Sequence, residues 1–164
     1  MKLALAVDHR GYPIKAALIE ALRADGHEVL DFGIFDHTPC DYPDIAIPAC
    51  LAVVEGQADR AVLADGSGIG MSIVANKVPG IRAALCHDEL TAEISRRAND
   101  ANAVCLAADL IGIELIRRIT KVWLKTDFDN GRHARRNDKI NQLEAKVFED
   151  ISRAHQILRG ELTN

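Results

Sequence analysis

Five short apolar runs recur along the chain: KLALAV at residues 2–7, HEVLDF at 27–32, RAVLAD at 60–65, RAALC at 82–86 and AVCLA at 103–107. No other feature narrows the possible folds as much. Runs this short and this nearly continuous suit strands covered on both faces, as in a parallel sheet, rather than the alternating pattern of a half-solvated one. Helical periodicity follows each run, over residues 12–24, 43–55, 70–78, 88–98 and 109–125. Each stretch is long enough to carry the chain back across a sheet. The expectation is an α/β sandwich of three layers with a five-stranded parallel sheet and right-handed crossovers. Ligands of such a sheet bind at the carboxyl ends of its strands.

The rest of the chain fits one domain over residues 1–164, long enough to form its own core. A net charge of −4 gives no electrostatic reason to expect nucleic acid. The first apolar run is too short for a leader or a membrane span, so a cytoplasmic location with no membrane partner is expected. Cys40, Cys50, Cys86 and Cys105 show no paired spacing and read as reduced thiols. The six histidines form no zinc-ligand pattern, so neither a metal nor another cofactor is expected.

Residues 126–136, TDFDNGRHARR, read as a loop, and a helix follows over 137–158. Ile140, Leu143, Val147, Ile151, Ala154 and Leu158 recur there at spacings of three and four, a stripe of heptad type. It packs either on its own domain or on another subunit, and the spacing does not choose.

Polar residues cluster at the ends of the runs: Asp8 and His9 after the first, Asp65 to Gly70 after the third, His87 and Asp88 after the fourth, and Asn99 to Asn102 before the fifth. In GSGIG, residues 66–70, glycines let successive amides face one anion, and the start of a helix adds positive potential. The spacing matches neither the dinucleotide fingerprint nor the nucleoside-triphosphate loop. Asp65 at the mouth of this loop has two readings. It caps the helix, or it serves as a general base, becoming neutral as charge appears on a substrate oxygen that the amides stabilise. Cys86 and His87, as neighbours on a strand, point to opposite faces and do not form a dyad. Arg132, His133, Arg135 and Arg136 are either solvated surface or a phosphate clamp.

Taken together, VDHRG at 7–11, DYPD at 41–44, GSGIGMSIVANKVPGIRAALC at 66–86, NDAN at 99–102 and GRHARR at 131–136 resemble the type B ribose-5-phosphate isomerases and the related galactose-6-phosphate isomerase subunits. The resemblance implies a Rossmann-like sandwich with an extra C-terminal helix, at least dimeric, with its active site where two subunits meet. It also implies metal-free aldose–ketose isomerisation through an enediolate. Carried over by position, Asp8 and His9 bind substrate and Tyr42 lines the pocket. Gly66, Ser67, Gly68 and Gly70 form the anion hole, and Ser72 caps the same loop. Asn99 binds sugar oxygens, Arg132 and Arg136 hold the phosphate, and His133 matches the motif beside them. The expected partners are a small-molecule sugar phosphate and the chain itself, as a homodimer or tetramer, with helix 137–158 in the interface.

The chain departs from that pattern in its chemistry. Asp65 stands where many members carry a base cysteine, and Met71 where another branch carries a glutamate. Ala98 stands where a histidine opens the sugar ring. Asp109 replaces an arginine that assists phosphate binding, and it opposes an anion unless Arg132 or Arg136 pairs with it. The expectation is an isomerase using Asp65 as base and preferring a tetrose phosphate or another open-chain substrate. The competing expectation is a catalytically silent structural or regulatory paralogue.

Overall fold

The computed structural model describes residues 1–159. It divides into two compact units, residues 1–129 and residues from 130 onward. In the first unit the strands are β1 (Lys2–Val7), β2 (Glu28–Asp31), β3 (Arg60–Asp65), β4 (Ala83–Leu85) and β5 (Ala103–Ala107). The helices between and after them are α1 (Tyr12–Ala24), α2 (Tyr42–Val54), α3 (Ile69–Ala75), α4 (Glu89–Asn99) and α5 (Ile113–Lys125). All strand pairs are parallel, in the order β2-β1-β3-β5-β4. The chain reverses its direction of travel between β1 and β3, and an open sheet of this kind parts there into a ligand crevice. The two strand ends are tied at that point, with the Asp8 amide donating to the Ala64 carbonyl at 3.1 Å.

The two faces of the sheet differ in side-chain size. Leu3, Leu5, Val7, Val62, Val104 and Leu106 point to one side, into a core with Leu18 and Leu22 of α1 and Ile116, Ile119 and Trp123 of α5. Ala4, Ala6, Ala61, Leu63, Ala103 and Cys105 point to the other, against Ala46, Ala49 and Cys50 of α2 and Met71 and Ala75 of α3. Each large side chain fully buried on the first side contributes about 1.5–3 kcal/mol. On the second side the small residues let α2 and α3 lie close to the strands and to each other. That closeness sets Tyr42, the first residue of α2, beside the first turn of α3.

The second unit is the helix α6 (Arg132–Leu158). It begins before residue 137, because Asn130 and Gly131, both at φ 58°, end the loop and leave the basic residues in the first helical turns. Within α6, Ile140, Leu143, Val147 and Ile151 are exposed, whereas the side chains of Ala154 and Leu158 lie outside the described residues. Among the described residues no helix is long and apolar enough to cross a membrane.

Candidate active site

Asp65 ends β3 on the small-residue side, in phase with Ala61 and Leu63, and is 6% exposed. Its carboxylate gathers the loop around itself. Oδ1 accepts the amides of Ser67, at 3.0 Å, and of Gly68, and Oδ2 accepts the Met71 amide at 3.3 Å. Gly68 sits at φ 75°, the left-handed turn that aims consecutive amides at one acceptor. The Ile69 amide goes to Ser67 Oγ at 3.2 Å. Ser72 lies inside α3 with its amide on the Gly68 carbonyl at 3.0 Å, so Asp65 rather than Ser72 caps the loop. The Gly66 and Gly70 amides make no hydrogen bond among the described residues.

Gly70 is a glycine because of its neighbours. A Cβ there would lie 2.9 Å from Tyr42 Cζ and 3.0 Å from Asp65 Oδ2. The phenol ring, the glycine and the carboxylate therefore share one wall.

Across the crevice Asp8, 4% exposed, accepts the Arg10 and Gly11 amides on Oδ1 at 2.8 and 3.0 Å. Burial holds its carboxyl above the usual aspartate range and the Asp65 charge adds to this, against the opposing pull of those two amides. His9 Nδ1 accepts the Cys40 amide at 3.4 Å and lies 3.9 Å from Asp8 Oδ2. An accepting Nδ1 leaves the proton of a neutral ring on Nε2.

Asp8, His9, Tyr42 and the 65–70 loop thus meet at the carboxyl ends of β1 and β3. Asn99 does not join them within one chain. It ends α4 and precedes β5, so it lies at the amino end of the sheet. There Asn102 receives the Ala61 amide on its carbonyl and the Arg82 amide on Oδ1, and Arg82 donates to the carbonyls of Asn99 and Asp100. Arg132, His133 and Arg136 belong to the second unit. The two arginines are exposed, four residues apart on one side of α6, and Arg132 Nε lies 3.4 Å from His133 Nε2. Cys86 is buried, its thiol pushed up to about 11 by burial, while His87 is exposed, so the two are not a working pair.

One contact went unread in the sequence. Asp109 pairs with Arg10 at 2.7 Å. Nothing local could have shown it, because the partners are 99 residues apart and reach each other over the intervening β3.

A sequence profile of the family described as Ribose/Galactose Isomerase matches residues 3–140. The putative sugar phosphate isomerase YwlF of Bacillus subtilis is 44% identical over 147 residues, which is 89% of this chain and 99% of that protein. A D-erythrulose-4-phosphate isomerase of Pectobacterium atrosepticum is 38% identical over 146 residues, 88% of this chain and 95% of that protein. Among solved structures, ribose-5-phosphate isomerase B of Clostridium thermocellum superimposes with a TM-score of 0.88 at 43% identity, covering 90% of this chain and 99% of that one.

Proposed function

The chain belongs to the ribose/galactose isomerase family, and from that premise we propose that it interconverts the aldose and ketose forms of a sugar phosphate. A proton moves between adjacent carbons through an enediolate, with Asp65 as the base. The observation that carries this reading is the shared wall of Asp65, Gly70 and Tyr42 at the crevice between β1 and β3. Asp65 takes the proton from the carbon next to the carbonyl and returns it to the former carbonyl carbon, while the hydroxyl proton on the first carbon's oxygen passes to the former carbonyl oxygen, so that the new carbonyl forms as the old one becomes a hydroxyl. The charge that gathers meanwhile on oxygen is met by the Gly66 and Gly70 amides, which Asp65 leaves unused. Asp8, held above the ordinary carboxylate range by burial, and His9 with its Nε2 proton hold the sugar hydroxyls.

Asn99 lies at the other end of the sheet, which supports a site completed by a second copy of the chain. Exposed Ile47 and Leu51 on α2 and Ile69 and Ile73 on α3, together with the stripe of α6, offer apolar surface for that contact. Arg132 and Arg136 hold the phosphate, helped by the positive end of α6. Sedimentation at micromolar concentration should therefore give a dimer or a multiple of one, and glutamate at Leu143 and Val147 together should dissociate or unfold it. A parent protein that sediments only as monomer sinks this part of the reading.

The substrate follows from Ala98. A pentose 5-phosphate is mostly a closed furanose, whereas a tetrose phosphorylated on its terminal oxygen cannot close that ring and offers an open carbonyl. With no acid at residue 98 to open a ring, the tetrose phosphate is the better substrate, and a relative named for an erythrulose phosphate supports this choice. Comparing kcat/KM for erythrose 4-phosphate, ribose 5-phosphate and their unphosphorylated sugars tests it. The first should lead by about tenfold or more, the equivalent of about 1.4 kcal/mol in the barrier. A lead for ribose 5-phosphate defeats the open-chain argument. No turnover of any of them favours the silent paralogue.

A further inference from the structure

Arg10 and Asp109 meet over the glycine loop, and the proton transfer uses neither. Both backbones are fixed, Arg10 by its amide on Asp8 Oδ1 at 2.8 Å and Asp109 by its amide on the Gly66 carbonyl at 3.0 Å. Asp109 Oδ2 takes Arg10 Nε at 2.8 Å and Nη2 at 2.7 Å, so one edge of the guanidinium is held. Arg10 Nη1 has no hydrogen-bond or ion-pair partner among the described residues. The pair rests directly on the loop, since a Cβ on Gly66 would be 2.6 Å from Asp109 Oδ2 and 3.5 Å from Arg10 Cβ.

We infer that Arg10 is a specificity-determining residue that recognises the phosphate of the substrate, and that Asp109 is its positioning residue. The inference rests on the isomerase reading above. With side chains 61% and 37% exposed, the ion pair contributes little to the fold. Its effect is on what can approach Gly66. A neutral hydroxyl can reach only the unpaired Nη1 and gains little there, because it cannot compete with Asp109 for the protons of Nε and Nη2. A phosphate dianion can compete, because it brings more charge and suits the planar fork. The pair thus selects for phosphate at the carboxyl ends of β1, β3 and β5, in addition to the arginines of α6.

The test is to titrate inorganic phosphate and erythrose 4-phosphate into the parent, Arg10→Gln and Asp109→Asn proteins by calorimetry, with KM, kcat and melting temperature measured alongside. Arg10→Gln should weaken phosphate binding and raise KM by roughly tenfold or more, the scale of a lost charge-assisted hydrogen bond. Asp109→Asn keeps an oxygen to hold Arg10 but removes the competing charge, so it should tighten phosphate binding severalfold. Melting temperatures should stay within about 2 °C of the parent in both. Opposite signs support the inference, since a structural strap would move both variants the same way. It is overturned if both bind phosphate like the parent, or if both weaken binding together with a lower melting temperature. A parent that turns over sugar phosphate while both variants behave like it defeats this inference alone. A parent that neither binds phosphate nor turns over sugar phosphate defeats the isomerase reading as well.

Discussion

Asp65→Asn should lower turnover about a hundredfold or more, the usual scale for loss of a general base. The substitution separates the two roles that the structure unites in one side chain. The amide oxygen of asparagine can still accept the Ser67 and Gly68 amides, but its nitrogen then faces the Met71 amide, donor against donor. That mismatch costs about 1–3 kcal/mol, or several degrees of melting temperature at this chain length. A residue that only caps would show this thermal loss with kcat unchanged well below the melting point, and such a result would remove Asp65 from the mechanism. Asp65→Cys offers a rescue. A thiol there becomes a base only as pH rises toward about 8.5, so activity should recover on the alkaline side and become sensitive to iodoacetamide. The parent should resist the reagent, because Cys50, Cys86 and Cys105 are buried, the first two with thiols pushed up to about 11, and partial burial raises the thiol of the half-buried Cys40 as well.

Gly68→Ala should be among the most damaging single-methyl changes in the chain. Its φ of 75° penalises any L side chain, and its Cβ would overlap Leu85 Cδ1 and lie 3.2 Å from the backbone carbonyl carbon of Leu106. Leu85 can turn away, but the strand cannot. The left-handed conformation costs about 1–2 kcal/mol and the crowding about 1–3 kcal/mol more. Together they amount to a fall on the order of 10 °C in melting temperature. Activity should fall too, since this turn directs the amides onto Asp65. Gly26→Ala is the control, with φ 84° but open space around it, so it should show the conformational cost alone. Equal melting temperatures for the two variants would refute the crowding at Gly68.

The interior strands were legible to the residue, at 2–7, 60–65 and 103–107, because burial on both faces leaves no polar interruption to blur their ends. The edge strands came out shorter, at Glu28–Asp31 and Ala83–Leu85, since each has a neighbour on one side only. Helix α5 starts at Ile113, four residues later than the periodicity of 109–125 indicates. The amides of Asp109, Leu110 and Ile111 turn back onto Gly66 and Ala107 instead of opening the helix. At the site, GSGIG is legible as a loop and Asp65 as its cap or a base, and the two readings do not exclude each other, since a carboxylate that accepts amides still has lone pairs for a proton. Grouping Asn99 with the other polar ends ignored strand direction, which puts any residue just before a strand at the amino edge. Arg10 and Asp109 required the strand order itself, which no local pattern carries.

The alanine-lined face of the sheet limits how a lineage built on this scaffold can diverge. Where Ala4, Ala6, Ala61 and Ala103 meet α2 and α3, every side chain is already near the smallest available, so drift toward larger residues is closed and drift toward glycine weakens the strand. The leucine and valine face can exchange members of similar volume. Innovation is therefore channelled to the strand tips, where polar residues can be swapped one at a time without moving the layers beneath them. A new substrate can be acquired there by editing a few side chains, and Asp65, at the end of β3, and Asp109, just past the end of β5, occupy two such positions.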